Sequence, residues 1–401
     1  MKHAYLFILV SVVLIGCKQN VSDTVPVKPD MEFAVLQLKD AIVHTPDDGK
    51  NFGPRTIADG KIQYITYVLD WTVGFFPGSL WYMYDYTGDE YWKTQAERFT
   101  NAIEDAKYNT VHHDVGFVIQ NSFGHGYRLT KNNHYKDVVV TAAHSLSTRF
   151  DPRTGCILSW DADKGWQGER GWQYPVIIDN MMNLELLFNA TKFTGDSSFY
   201  QIAISHADVT LKNHYRPDYS CYHVVDYDSV TGVARNHHTA QGYAHESAWA
   251  RGQAWGLYGF VMTYRETKLS RYLEQAEKIA DWWLSHENLP EDMVPYWDFN
   301  APNIPNELRD ASAASITASA LIELASFKTA KSKEYLAAAE KILISLSSQA
   351  YLAQHGENGY FLLKHCVGSI PHNQELDVPL NYADYYFLEA LMRYAQIDNI
   401  P

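Results

Sequence analysis

A chain of 401 residues that is 46% hydrophobic and 20% charged can bury a large core, as two or three domains or as one domain built from repeats. Its formal charge of −14, with no basic run, argues against nucleic acid as a partner. An anionic ligand would have to be caught by local cations or helix N-termini, because the overall field opposes it.

The first segment is expected to be processed rather than folded. Lys2 supplies a positive charge, Tyr5 to Ile15 an apolar core, and Leu14-Ile15-Gly16-Cys17 a lipobox with Cys17 as the lipidation site. The apolar stretch is too short to span a bilayer comfortably. Residues 1–17 therefore read as a lipoprotein signal peptide, 18–30 as a polar tether carrying Pro26 and Pro29, and 31–401 as a single catalytic domain. This predicts a chain anchored by lipid to a bacterial membrane, facing the periplasm or the cell surface, with no other membrane contact. The remaining Cys156, Cys221 and Cys366 are too far apart for a CxxC motif; an oxidising compartment permits one disulfide among them without naming the pair.

Further on, one pattern recurs: an apolar helix, a Thr-rich turn, an aromatic residue, then an Ala-rich amphipathic helix. It appears at Thr87–Tyr91, Thr130–Tyr135, Thr194–Phe199, Thr267–Tyr272 and Thr329–Tyr335. With Met31–His44 in front and Tyr382–Gln396 behind, the pattern predicts twelve helices. The outer set starts near 31, 89, 132, 196, 270 and 332, and the inner set near 71, 115, 180, 249, 312 and 382. Residues 31 to 396 span 366 residues, or 61 per hairpin. Six hairpins closed on themselves make an all-α (α/α)6 barrel, with an open solenoid as the structural alternative. The connections at about 151–178, 214–246, 288–311 and 350–381 are long and fall where inner helices begin. Function is expected on that rim, where six helix N-termini gather.

Two aspartates stand there, 65 residues apart: Asp114, after His112-His113, and Asp179, within Ile177-Ile178-Asp179-Asn180-Met181-Met182. Each precedes an apolar helix, so each is either a helix cap or one of an acid/base pair. Apolar neighbours would keep Asp179 protonated, and the two histidines would hold Asp114 ionised. The loop before the fourth inner helix offers His223, His237, His238, Gln241, His245, Glu246, Trp249 and Arg251. The fork of Arg251 suits a carboxylate ligand, with a pair to Glu246 as the bland alternative. The histidines lack HxxxH-type spacing, so no metal is expected. Trp71 and Trp160 are candidate platforms for a sugar ring, and the 11 Trp and 28 Tyr of the chain suit such a site.

Five stretches together resemble glycoside hydrolase family 88, the unsaturated glucuronyl hydrolases. They are Trp71–Trp81, His113–Phe117, Asp179–Asn183, Trp249–Trp255 and Tyr382–Phe387. The resemblance implies an (α/α)6 barrel that works without a cofactor, with Asp179 as general acid/base and Asp114 as the second essential carboxylate. It places His223, Gln241, Trp249, Arg251 and Trp255 around the sugar, where Trp71, Trp160 and His113 are further candidates for substrate binding. The implied substrates are oligosaccharides ending in a 4,5-unsaturated uronate, glycosaminoglycan fragments first and ulvan fragments as an alternative. In the loop Gly359–Ser369, Lys364 and Ser369 are candidates for a sulfate. A family 105-like unsaturated rhamnogalacturonyl hydrolase and a non-catalytic glycan-binding lipoprotein are the competing readings.

Overall fold

The computed structural model describes residues 24–397, in which two sets of six helices alternate. The outer set is Val27–His44, Glu90–Ala102, Asn133–Ser147, Ser197–Asn213, Ser270–Ser285 and Ser332–Leu346. The inner set begins with Phe75–Thr87. Its second member runs in three segments, Val115–Ile119, a π-turn at Gln120–Gly124, and His125–Thr130. Leu184–Thr194, Ala250–Thr267, Ala311–Ser326 and Asn381–Ala395 complete it. Neighbouring inner helices pack in sequence, and the last packs against the first. That closure makes the fold an (α/α)6 barrel and not an open solenoid.

The burial follows from composition. Residues 250–263 and 311–322 are buried all round, which the Ala, Ser and Gly of these helices permit by letting neighbours approach closely. The recurring Thr has a specific task. Thr87, Thr130, Thr194, Thr267 and Thr329 each accept a hydrogen bond from the backbone N–H two residues on, at 3.1–3.3 Å. The first four also donate back to the carbonyl four residues earlier. Each hydroxyl thus ends one helix while shaping the turn into the next. Asp89, Asn132 and Asp196 then cap the outer helices that follow.

One expectation needs correction. The tether does not reach residue 30: the first helix begins at Val27, after Pro26, and carries Pro29 in its first turn. No intrahelical N–H bond is lost there, because the first-turn amides have no partner in any case. Asp30 is buried and accepts from Ser347, so this turn is docked on the barrel. The signal peptide, Cys17 and residues 18–23 lie outside the described residues. The connections on the rim fold in part into short strands. Antiparallel hairpins form at Pro54–Ala58 with Lys61–Tyr64, at Phe150–Asp151 with Cys156–Ile157, and at Cys366–Ser369 with Gln374–Val378. A three-stranded sheet joins Pro175–Ile177, Val224–Tyr227 and Ala234–His238, with Val224–Tyr227 in the middle. Cys156, Cys221 and Cys366 are buried free thiols, so none of them pairs with another.

The first and last parts of the barrel meet along a seam. Arg55 pairs with Glu375 at 2.5 Å, Thr56 Oγ1 donates to the Pro379 carbonyl at 2.7 Å, and Gln37 Nε2 donates to the Phe361 carbonyl at 3.1 Å. Asn381 Nδ2 donates to the carbonyls of Pro54 and Thr72, both at 3.1 Å.

Candidate active site

Neither aspartate is a helix cap. Asp114 precedes Val115–Ile119 without making any side-chain cap hydrogen bond. Asp179 lies inside the 3-10 turn Ile178–Asn183, several residues before its helix, and likewise caps nothing. Asp310 shows what a capping aspartate does here: its Oδ1 accepts from the Ser312 N–H at 3.0 Å. Both candidate carboxyls instead line one cavity of about 330 Å³ on the rim, together with Trp71, Trp160, Gln241 and Arg251.

Local packing fixes the two carboxyls relative to each other. A Cβ on Gly116 would lie 2.6 Å from Asn183, so only glycine lets these segments approach so closely. Asn183 Oδ1 accepts from the Phe117 N–H at 2.8 Å, tying the turn that carries Asp179 to the helix that follows Asp114.

The two environments differ in the expected sense. Asp179 is buried, and that burial pushes its pKa up to about 7. Arg251 opposes the rise and the charge of Asp114 adds to it. Asp114 is half-buried, and His113, His112 and Arg149 outweigh its desolvation and hold it below the ordinary carboxylate range. His113 is fully buried and pushed down to about 4, chiefly by that burial; its Nε2 lies 3.3 Å from Asp114 Oδ1.

The sheet brings His223 to Asp179. Ile177 pairs with Val224, and the Ile178 N–H donates to the His223 carbonyl at 3.0 Å. His223 Nδ1 accepts from the N–H groups of Ala240 and Gln241, at 3.1 and 3.2 Å. Two amide donors leave the ring hydrogen on Nε2, which faces Asp179 Oδ2 across 3.7 Å. Burial, then Arg251, keeps this histidine neutral. The gap exceeds hydrogen-bond length, and both atoms are buried without a protein hydrogen-bond partner.

Arg251 lines the cavity, but its fork is not free for a ligand carboxylate. Nη1 pairs with Asp310 at 3.1 Å and also donates to the Val367 carbonyl, and Nη2 donates to the Gly368 carbonyl at 2.6 Å. Its faces lie over Trp249 and Tyr382. The alternative pair to Glu246 is also absent, since that residue meets Arg216 and Tyr222. Arg251 therefore presents positive charge while bracing the hairpin Cys366–Ser369.

Four of the eight residues expected around the sugar reach the cavity: Trp71, Trp160, Gln241 and Arg251. The other four, His113, His223, Trp249 and Trp255, are buried behind that lining. Trp249 packs at a tilt against His223, with ring centroids 4.6 Å apart. Trp255 packs on Phe117 and Tyr386, and its indole N–H acts on Asp179, against the rise in that carboxyl's pKa. Trp166, Gln167, Ile177, Ala240, Ser369, His372 and Gln374 also line the cavity. Trp166 carries the same loop-tryptophan signal as Trp160, and their rings are 5.1 Å apart. His372 and Gln374 carried no signal, because a hairpin whose turn is Ile370–Asn373 places them. Ser369 reaches the cavity, whereas Lys364 turns away and donates to the Gln349 carbonyl.

Comparison with known proteins gives the same answer. The family model described as Glycosyl Hydrolase Family 88 matches residues 55–396. An unsaturated glucuronyl hydrolase from Formosa agariphila is 47% identical over 355 residues, covering 88% of this chain and 86% of that protein. An unsaturated chondroitin disaccharide hydrolase from Streptococcus agalactiae is 34% identical, covering 92% of each chain. The solved structure of an unsaturated glucuronyl hydrolase specific for heparin superposes with a TM-score of 0.88 at 44% identity, over 93% of this chain and 98% of that one. With a closed (α/α)6 barrel and two unlike carboxyls at one rim cavity, the chain belongs to glycoside hydrolase family 88.

Proposed function

We propose that this enzyme removes the terminal 4,5-unsaturated uronate from lyase-generated oligosaccharides, with Asp179 as general acid and then base. The observation that carries the reading is Asp179 itself: a buried carboxyl held near neutrality at a cavity wall, beside a second carboxyl held ionised. The C4=C5 bond of such a sugar is an enol ether. A proton from Asp179 adds at C4, and positive charge develops at C5, stabilised by the ring oxygen. The Asp179 carboxylate then takes a proton from water as its oxygen bonds to C5. The resulting hemiketal opens and releases the aglycone. Every step is a proton transfer, a water addition or a ring opening, so none requires a redox cofactor. Asp114 remains anionic and stabilises the developing positive charge.

Arg251 supports the uronate end through its charge, and the Nε2–H of His223, behind the lining, faces the Asp179 carboxyl at 3.7 Å. Trp160 and Trp166 give the next sugar an apolar wall, and Ser369, His372 and nearby Arg170 give it polar contacts. Arg170 lies 5.7 Å from the rings of both Trp166 and Trp172. A cation at this wall of an acidic protein favours anionic aglycones, so glycosaminoglycan fragments are the preferred class. The test is loss of the ultraviolet absorbance of the C4=C5 group on lyase-generated disaccharides from chondroitin, hyaluronan, heparin and ulvan. Turnover is expected, fastest on a glycosaminoglycan disaccharide. Unchanged absorbance with measurable binding would instead make this a glycan-binding protein.

We also infer that Cys17 carries a lipid that holds the enzyme at a bacterial membrane. The lipobox supports this, and among the described residues no helix is long and apolar enough to cross one. Cys17→Ala should move activity from the membrane fraction to the soluble fraction with unchanged turnover. Activity that stays with the membrane would refute lipid attachment at this residue.

A further inference from the structure

A second cavity, of about 410 Å³, opens on the rim beside the first. Trp71, Asp114, Trp160 and Gln167 line both, so the two adjoin along those side chains. Asp179 and Arg251 line only the inner one. The reacting sugar therefore belongs inside, and a chain longer than two sugars has to continue past the lining.

The walls of the outer cavity are firmly held. Trp71 packs on Phe75, Phe117 and Tyr382, with ring centroids 4.9–5.9 Å apart. Trp160 packs on Trp166 and Trp172. An antiparallel bridge between His112 and Trp160 brings their neighbours Val111 and Asp161 to one edge, and both line the cavity. Its outer carboxylates are already paired: Asp161 with Arg149 and Lys164, each at 3.3 Å, and Asp70 with Arg55 at 2.5 Å. The cavity thus has no call for a cation. It presents apolar surface to water instead, with Tyr67 59% and Val111 53% exposed. Exposed apolar surface in a groove marks a binding face, and an aromatic ring suits the C–H face of a pyranose, whose hydroxyls stay hydrated. The Gln167 amide and the Lys164 ammonium supply donors at the same cavity.

We propose that the outer cavity binds the third sugar of the substrate, counted from the unsaturated end, with Tyr67 as its platform. The enzyme then selects unsaturated tetrasaccharides over disaccharides. This rests on the reading that the inner cavity takes the unsaturated uronate. Contacts so far from the reacting atoms act equally on substrate and transition state, so the preference lies in KM and not in kcat.

The experiment compares the unsaturated disaccharide and tetrasaccharide of the same polysaccharide, for chondroitin, hyaluronan and heparin in turn, by loss of ultraviolet absorbance with the full chain. For the unaltered protein, kcat/KM should be about tenfold higher on the tetrasaccharide, the scale of one covered aromatic face. Tyr67→Ala should erase that preference and leave the disaccharide rate and the melting temperature unchanged, whereas Tyr67→Phe, which keeps the ring, should retain it. Equal kcat/KM on both lengths in the unaltered protein, a preference that survives Tyr67→Ala, or an equal loss on both lengths would overturn the proposal. If neither length were turned over, the hydrolase reading would fall, and calorimetric binding of the same two lengths would decide the subsite. Tighter binding of the tetrasaccharide, lost in Tyr67→Ala, would uphold it, and equal binding would overturn it.

Discussion

Asp179→Asn should lower turnover of an unsaturated glucuronyl disaccharide on the order of 10²–10⁴-fold, the usual contribution of a general acid/base group. Folding should survive, because the Asp179 side chain caps no helix and its Oδ2 has no protein partner to lose. The substitution should also change how stability depends on pH. The folded state holds the Asp179 proton up to about pH 7, whereas an unfolded aspartate releases it near its ordinary pKa of 3.8. Between those values the folded protein binds the extra proton, so stability falls as pH rises through the window. Asn carries no such proton, so the difference in melting temperature should move in favour of the variant from pH 4 to pH 8. In the unaltered enzyme, turnover should fall as pH rises past about 7 and the acid ionises. Thermal melts and pH–rate profiles on the same preparations check both statements. Near-normal turnover by a folded Asn variant would sink the mechanism.

The second large effect is on stability. Asp310→Asn should destabilise the protein by about 3–5 kcal/mol, the range for removing one partner of a buried ion pair. Arg251 and Asp310 are both almost fully buried, with side chains 1% and 0% exposed. An Asn side chain retains the oxygen that caps Ser312, so the loss isolates the charge and not the cap. What remains is a guanidinium without its carboxylate, bonded to the carbonyls of Val367 and Gly368. Urea unfolding measures the loss. Adding Arg251→Met should recover much of it, because the uncompensated charge goes with the arginine. A single variant within about 1 kcal/mol of the unaltered protein would show that the two carbonyls suffice.

The barrel was legible because its signal is periodic. The Thr-rich turns mark where each inner helix hands over to an outer one, and their hydroxyls make the same bonds each time. The two aspartates were legible as a pair because both fall where inner helices begin. What escaped the sequence depends on contacts that cross the chain. His223 meets Asp179 because a strand from one rim connection pairs with a strand from another. Arg251 looked available to a ligand because its true partner, Asp310, lies 59 residues on, at the start of the next inner helix. His372 and Gln374 reach the cavity only through the fold of a hairpin. The tether boundary was misplaced because Pro29 reads as a helix breaker, although the first turn of a helix accepts it.

The seam has a consequence in time as well as in space. Arg55 waits for Glu375, Thr56 for Pro379 and Gln37 for Phe361, partners more than 300 residues later in the chain. The hairpin that brings Ser369, His372 and Gln374 to the cavity emerges with those late partners. A chain cut short before about residue 360 can form local αα-hairpins, but it cannot close the ring or finish the wall. The two rim carboxyls are thus made early and assembled late, and a chain still emerging from the ribosome carries no complete rim cavity.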